Sequence, residues 1–274
     1  MKPPPFTYHA PRDVGAAVRT LAEVKGKVLA GGQSLIPMLN MRLAAPEHVV
    51  DINRVAGLDG IEAGPAGVRV AALARHAEVE RAGVHPLLTR ALKLVAHPVI
   101  RNRGTVVGSL VHADPAAELP AVLAVLGGSM RVARWDGGVR VRDVPAGEFF
   151  TGPMESAVGP DELAVSAFFP ALEAGGGAAF EEVARRHGDY ALAGVCAVVT
   201  PRTARVACIG VGPVPVVVES QDRDWRRVAV LVRESTEPEA DIHASAAYRA
   251  HLVGVLAERA LRNAAREGAA ARDT

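Results

Sequence analysis

Two short stretches hold the residues best able to do chemistry. "LAGGQSLIPMLNMRLA" (Leu29 to Ala44) sets Gly31 and Gly32 between an apolar run and a helical pattern. "RGTVVGSLVHADPAAELP" (Arg103 to Pro120) places Thr105, Gly108 and Ser109 ahead of His112, Asp114 and Glu118. A strand, a glycine turn and a helix aim free backbone N–H groups at one point, where the helix dipole also favours negative charge. Such a turn can hold a phosphate without a lysine, and two of them can clamp a diphosphate. Ser34 could cap the helix that follows or donate its hydroxyl to a phosphate oxygen, and Gln33 could reach a ligand or solvent. The competing reading is a tight strand-to-helix turn whose glycines supply positive φ and nothing else. The first stretch fits neither the dinucleotide fingerprint G-x-G-x-x-G nor the P-loop G-x-x-x-x-G-K-S/T, so nicotinamide binding on a Rossmann unit and NTP hydrolysis lose support. Asp114-Pro115 reads as a helix start, with aspartate as N-cap and proline at the first helical position. Glu118 then falls one residue too late for a capping box, although the dipole favours a carboxylate in any first turn.

Other chemistries find little support. There is no serine–histidine–acid cue, and the histidines are scattered singly, His112 being the best placed. Cys196 in "AGVCAVV" and Cys208 in "RVACIGVG" sit in strand-like runs without a partner at metal-ligand spacing, so both read as buried thiols and the chain as holding no iron–sulfur cluster. Lysines plus arginines (31) nearly balance acids (30), which argues against nucleic acid or an anionic membrane surface as partner. "MKPPPFTYHAPRD" has prolines where a signal peptide needs an apolar core. No apolar stretch approaches the roughly 18 to 20 residues that cross a bilayer. The expectation is a cytoplasmic protein with no membrane insertion.

The elements that must position the two turns follow from changes in pattern. With 274 residues, 49% of them hydrophobic and 22% charged, the chain can bury a sizeable core as one large domain or two to three packed subdomains. No internal repeat is visible. An extended start, a helix from Arg12 to Val24, a strand from Lys27 to Ala30, the helix after Gly31-Gly32 and the strand "HVVDI" make a compact α/β unit. Beyond Ile61, "GVRVAAL", "GTVVGSLV", "SMRVARW" and "VRVRDV" read as strands, with helical runs at Leu87 to Val95 and Pro115 to Leu126. Gly175-Gly176-Gly177 reads as a linker. It leads to "AAFEEVARR", "LAGVCAVVT" and "RVACIGVG", an antiparallel meander. The tail predicts a terminal helix with Tyr248, Leu252, Val255 and Leu256 on its packed face and its last few residues frayed.

At this point four segments, "AGGQSLIPMLNMRLA", "IRNRGTVVGSLVHADPAAELPA", "RRHGDYALAG" and "DIHASAAYRAHLVGVLAERAL", resemble the FAD-binding medium subunit of molybdenum hydroxylases. The type is that of aerobic carbon monoxide dehydrogenase, related to the flavin domain of xanthine dehydrogenase. The segments fall in the family's order across nearly the whole chain. The resemblance implies an α+β architecture: a PCMH-type (vanillyl-alcohol oxidase-like) FAD-binding fold of two α/β subdomains, residues 1–55 and 56–172, then a C-terminal antiparallel sheet with helices, 173–274. FAD would lie between the first two. It implies that Ala30, Gly31, Gly32, Gln33 and Ser34, with Thr105, Val106, Val107, Gly108 and Ser109, embrace the diphosphate. Asp114 and Glu118 would lie near the ribityl and adenosine portions, and Tyr190 beside the isoalloxazine ring. Leu163 and Phe168 are weaker candidates for the ring wall. The partners implied are a molybdopterin-containing large subunit and a small subunit with 2Fe–2S clusters, from which electrons pass through FAD to an external acceptor.

Three departures from the family matter. Val107 replaces the first glycine of the usual Thr-Ile/Val-Gly-Gly. If the position needs positive φ, a β-branched residue there costs on the order of 1 to 3 kcal/mol. Where the family often has lysine, "FEEVARR" has Glu181 and Glu182. "VESQDRDWRRVAVLVREST" (Val218 to Thr236) departs from the usual Ala- and Gly-rich linker. These motivate two rival readings: a stand-alone FAD-dependent oxidoreductase acting on a small molecule, or a family member that has lost FAD and serves as a binding or scaffold protein.

Overall fold

Apolar alternation and glycine turns partition the chain into three main sheets, each drawn from its own stretch. The computed structural model describes residues 2–272. The first stretch holds β1 (Thr7–His9), α1 (Val14–Val24), β2 (Lys27–Leu29), α2 (Leu35–Asn40) and β3 (His48–Asp51). Next come β4 (Ile61–Gly64), β5 (Gly67–Ala71), α3 (His76–Ala82), α4 (Pro86–Leu94), α5 (Pro98–Arg101), α6 (Val106–His112) and α7 (Glu118–Leu126). The middle continues with β6 (Ser129–Trp135), β7 (Val139–Pro145), α8 (Ala146–Phe149), β8 (Phe150–Gly152), β9 (Glu155–Ser156) and β10 (Glu162–Pro170). The last stretch holds β11 (Gly177–Ala184), β12 (Ala191–Val199), β13 (Ala204–Ile209), β14 (Val216–Ser220), α9 (Trp225–Glu234) and α10 (Ala246–Ala270).

The first sheet, ordered β1-β3-β2, is parallel, and the middle sheet, β4-β5-β10-β6-β7, pairs antiparallel throughout. The fourth pairing unit is the short hairpin β8-β9. The last sheet, β11-β12-β13-β14, is the antiparallel meander its sequence predicts. Helix α7 lies between the middle and last sheets, so Leu119, Val122, Leu123 and Val125 are buried all round it. Each such side chain contributes about 1.5 to 3 kcal/mol. One core runs from α1 through the middle sheet and α7 to one face of the last sheet; a second joins that sheet's other face to α9 and α10.

Several expectations need correction. "GTVVGSLV" is helix α6, not a strand: the Thr105 hydroxyl accepts from the Gly108 N–H at 3.0 Å, and Val106, Val107 and Leu110 share a buried face. Capping and tertiary packing here override β-branched propensity. Asp114 does not cap α7. It accepts from the Ala116 N–H at 2.9 Å in a separate turn, and the helix begins only at Glu118. On α10, Leu252 and Leu256 are buried as expected, but Tyr248 and Val255 are exposed, since the packed stripe continues through Val253, Ala257 and Ala260 to Ala264. Helix α10 is continuous to Ala270. The terminal pair for which fraying is expected, 273–274, lies outside the described residues.

The Gly175–Gly177 segment is packed and not a loose linker. A side chain at Gly177 would strike the Ala264 carbonyl and the Gly268 N–H of α10. Arg90 of α4 ties the same region down, bonding the Ala178 carbonyl and pairing with Glu267 at 2.6 Å. The unusual 218–236 segment forms the end of β14 and all of α9, where Asp224 caps the helix through the Arg226 N–H at 3.0 Å. Cys196 and Cys208 are free and buried; burial pushes the Cys196 thiol well up and the Cys208 thiol to about 12. No helix among the described residues is long and apolar enough to cross a membrane.

Candidate functional site

The first glycine turn leaves β2 beside β3. Gly32 has φ +75, a conformation glycine adopts without strain. Gly31 answers to a different constraint. A Cβ there would strike the Arg103 carbonyl and come within 2.9 Å of the Gly104 Cα. What approaches the first turn so closely is therefore the backbone of the second stretch, and the two turns lie in direct contact. Ser34 precedes α2 but makes no side-chain cap bond, which leaves its hydroxyl free for another partner. Gln33 only leans on the Gly31 carbonyl, at 3.4 Å. Among the described residues the N–H groups of Gly32, Gln33 and Ser34 make no hydrogen bond.

At the start of α6 most N–H groups are already engaged. The Val106 N–H donates to the Ala74 carbonyl at 3.3 Å and the Gly108 N–H to the Thr105 hydroxyl. The Val107 N–H, in the unpaired first turn of the helix, is left over. Val107 itself is helical and buried, with no positive φ, so the strain that its β-branched side chain suggests is absent. Gly108 packs against its own cap, because a Cβ would meet the Thr105 hydroxyl. The Ser109 hydroxyl bonds His76 at 3.0 Å. Burial holds His76 down at about 4, so it is neutral at pH 7.

A polar chain that residue patterns do not reveal locks the two turns together. The Tyr8 hydroxyl donates to Asp51 at 2.6 Å, and Asn53 donates both to Asp51 at 2.6 Å and to the Ala30 carbonyl at 2.8 Å. Arg75 then donates to Asn53 and to the Arg103 carbonyl, each at 2.7 Å. Burial pushes the Asp51 carboxyl up, but the Tyr8 and Asn53 hydrogen bonds outweigh it and hold the group below its usual value. Asn53 and Arg75 each follow a strand end, the one signal that could have singled them out.

The acidic residues collect elsewhere. Glu118, the first residue of α7, is 7% exposed, and burial followed by the nearby Glu182 pushes it up to about 8. Tyr190 lies in the loop before β12 and not in a strand. It is 65% exposed, yet its hydroxyl end faces Asp114 and Glu118; burial of that end and then the two carboxylates raise its pKa. Asp114, Glu118 and Tyr190 are thus brought together. Leu163 is not: its side chain is buried in the β10 core at 2% exposure, so only its backbone could reach a ligand. Phe168 stacks on Arg69. His112 ends α6, where burial lowers its pKa.

The two abutting turns form a surface of backbone donors. Unpaired N–H groups at two abutting turns suit an anionic diphosphate, and the carboxyl cluster suits hydroxyl-bearing, uncharged portions of the same molecule. The chain belongs to the family described as FAD binding domain in molybdopterin dehydrogenase, which matches residues 4–172. It is similar along its length to the 6-hydroxypseudooxynicotine dehydrogenase complex subunit alpha of Paenarthrobacter nicotinovorans, with 37% identity covering 96% of each chain. A carbon monoxide dehydrogenase from Hydrogenophaga pseudoflava, in a form lacking the Mo-pyranopterin moiety, superposes with a TM-score of 0.90 at 33% identity, covering 97% of this chain and 99% of that one. Quinoline 2-oxidoreductase from Pseudomonas putida 86 gives 0.90 at 32% identity, covering 98% and 100%. The chain is an FAD-binding oxidoreductase subunit of the molybdenum hydroxylase type, and it works by electron transfer through FAD.

Two substitutions test the turns. Gly32→Val places a β-branched residue at positive φ, with its Cβ 3.1 Å from Ile36, which costs about 1 to 2 kcal/mol of strain. FAD retention is expected to fall at least tenfold with unchanged circular dichroism; full flavin content in a folded variant would make this merely a turn. Val107→Gly relieves no strain. It should cost about 2 to 3 kcal/mol in urea unfolding through lost burial and helix entropy, without tightening FAD. A tenfold tightening in a fluorescence titration would refute the helical account of this position.

Proposed function

We propose that this chain holds FAD at the contact between its two glycine turns and relays electrons to it from 2Fe–2S clusters on a small partner subunit. Those clusters are fed by a molybdopterin-containing large subunit, and the electrons leave to an external acceptor. The observation that carries this reading is the abutment of Gly31 on Arg103–Gly104, which presents two sets of unpaired N–H groups as one surface. The N–H groups of Gly32, Gln33, Ser34 and Val107 would hold the diphosphate, with the free Ser34 hydroxyl as a further donor. Ala30, Thr105, Val106, Gly108 and Ser109 set the backbone of the two turns. Asp114 and Glu118 would receive hydroxyl groups of the ribityl or ribose, and exposed Tyr190 would lie along the ring. FAD, when bound, supplies reversible electron storage between the clusters and the acceptor. The chain's own residues bind, orient and shield it, and none is required as a nucleophile.

We take residues 1–55 and 56–172 as the two cofactor-binding units and 173–274 as the third. The working compartment is the cytoplasm, a placement supported by two unpaired thiols. The scaffold alternative loses its main motive with the helical Val107, and the stand-alone alternative with the ordinary packing of α9.

Co-expression with the neighbouring subunits and purification through this chain should give a yellow complex with FAD, iron and molybdenum in fixed ratio. A chain that purifies alone, with flavin and full turnover of a small molecule, would overturn the partner assignment. Tyr190→Ala should alter flavin emission and reduction behaviour while changing retention less than threefold, since most affinity comes from the diphosphate and adenosine half. Emission and reduction identical to wild type would remove Tyr190 from the ring.

A further inference from the structure

Within the second turn Ser109 is half-buried, and among the described residues its hydroxyl makes one hydrogen bond, with His76 Nε2 at 3.0 Å. His76 is the first residue of α3, and the residue before it pins that helix in place. The Arg75 N–H accepts Glu78 as partner at 2.9 Å, while the Arg75 guanidinium donates to Asn53 and to the Arg103 carbonyl. His76 is 3% exposed and meets the second turn at both ends. Its backbone N–H donates to the Gly104 carbonyl at 2.9 Å, and a Cβ at Gly104 would come within 2.9 Å of its ring. Its Nε2 meets Ser109, five residues further on. The other ring nitrogen, Nδ1, is buried and has no hydrogen-bond partner.

That asymmetry gives the bond a direction. A buried neutral imidazole carries one proton for its two nitrogens. An orphaned buried N–H is rarer than an under-satisfied buried acceptor, so the proton belongs on Nε2, the nitrogen that has a partner. The Nε2–H then donates to the Ser109 oxygen, and the hydroxyl hydrogen is left to point elsewhere. A helical serine commonly spends it on the carbonyl four residues back, but no such bond to Thr105 forms here, and that carbonyl already accepts from the Ser109 N–H at 3.0 Å. We propose that His76 is a positioning residue for the cofactor, holding the Ser109 hydroxyl as an O–H donor to the FAD diphosphate. This rests on the FAD site proposed above, where Ser109 becomes the second turn's counterpart to the free Ser34 hydroxyl of the first. If the ring accepted from Ser109 instead, that hydroxyl would be spent inside the protein and the site would lose a donor.

The test is a double-mutant cycle read by fluorescence-quenching titration of the full chain, stripped of flavin, with FAD. Ser109→Ala should lose about tenfold in affinity, as expected for one hydrogen bond to a charged group. His76→Leu, which fills the ring's space without a donor, should lose a similar factor. The double variant should lose about tenfold as well, in place of the roughly hundredfold that independent effects would multiply to. His76→Gln, whose amide can bring an N–H to the place of Nε2, should stay within about threefold of wild type. A purely packing role for the ring would not show that rescue, because glutamine restores the donor and not the apolar bulk. If His76→Leu does not fold, the contrast between Ser109→Ala and His76→Gln decides. Wild-type affinity in Ser109→Ala, losses that multiply in the double variant, or a His76→Gln protein that binds as weakly as Ser109→Ala overturns the role of His76 while leaving the FAD site standing. Absence of FAD binding by the wild-type chain overturns both.

Discussion

The architecture of the site depends on one backbone-to-backbone contact. Gly31 lies so close to the Arg103 carbonyl and the Gly104 Cα that no side chain fits between them. Two glycine turns, more than 70 residues apart in the chain, thereby become one surface. Holding that surface together is costly, since it brings main-chain dipoles into close quarters. The Asp51–Asn53–Arg75 chain supplies the compensation. It satisfies the Ala30 and Arg103 carbonyls and gives the Arg75 guanidinium two hydrogen bonds. His76 and Gly104 extend the same logic: the Gly104 carbonyl accepts from the His76 N–H at 2.9 Å, and a Cβ at Gly104 would meet the imidazole ring.

What could be read from residues alone was the part governed by local chemistry. Positive φ at Gly32, the strands of the last sheet and the burial of both cysteines follow from glycine's freedom, β-branched runs and isolated thiols. The rest was set by tertiary partners. "GTVVGSLV" has strand-like composition, yet Thr105 caps it and the middle sheet receives its apolar face, so it folds as α6. The packed face of α10 was misplaced because Ala257, Ala260 and Ala264 carry it, and alanine gives a weak periodic signal. Asn53 and Arg75 gave no motif at all, since each acts through a carbonyl supplied by a distant turn.

Electrostatics divide the site into two halves. The turns offer N–H groups and helix N-termini, and the Arg75 guanidinium beside them is already engaged with Asn53 and the Arg103 carbonyl. An anion held this way is held by dipoles, which cost little to preorganise and leave the net charge of +1 unbiased toward nonspecific polyanions. The other half is acidic and partly buried, a setting hostile to phosphate but suited to hydroxyl groups.

For the FAD site proposed above, the division would orient the ligand. A dinucleotide that put its diphosphate against Asp114, Glu118 and Glu182 would meet uncompensated negative charge, and one that put its ribityl hydroxyls on the turns would leave N–H groups without acceptors strong enough to replace water. Both misplacements are penalised, so the pattern of donors and carboxyls selects one direction of binding along the surface. In the proposed site that direction would send the ring toward Tyr190, the exposed aromatic side, where a cofactor that must exchange electrons with other molecules has to present an edge.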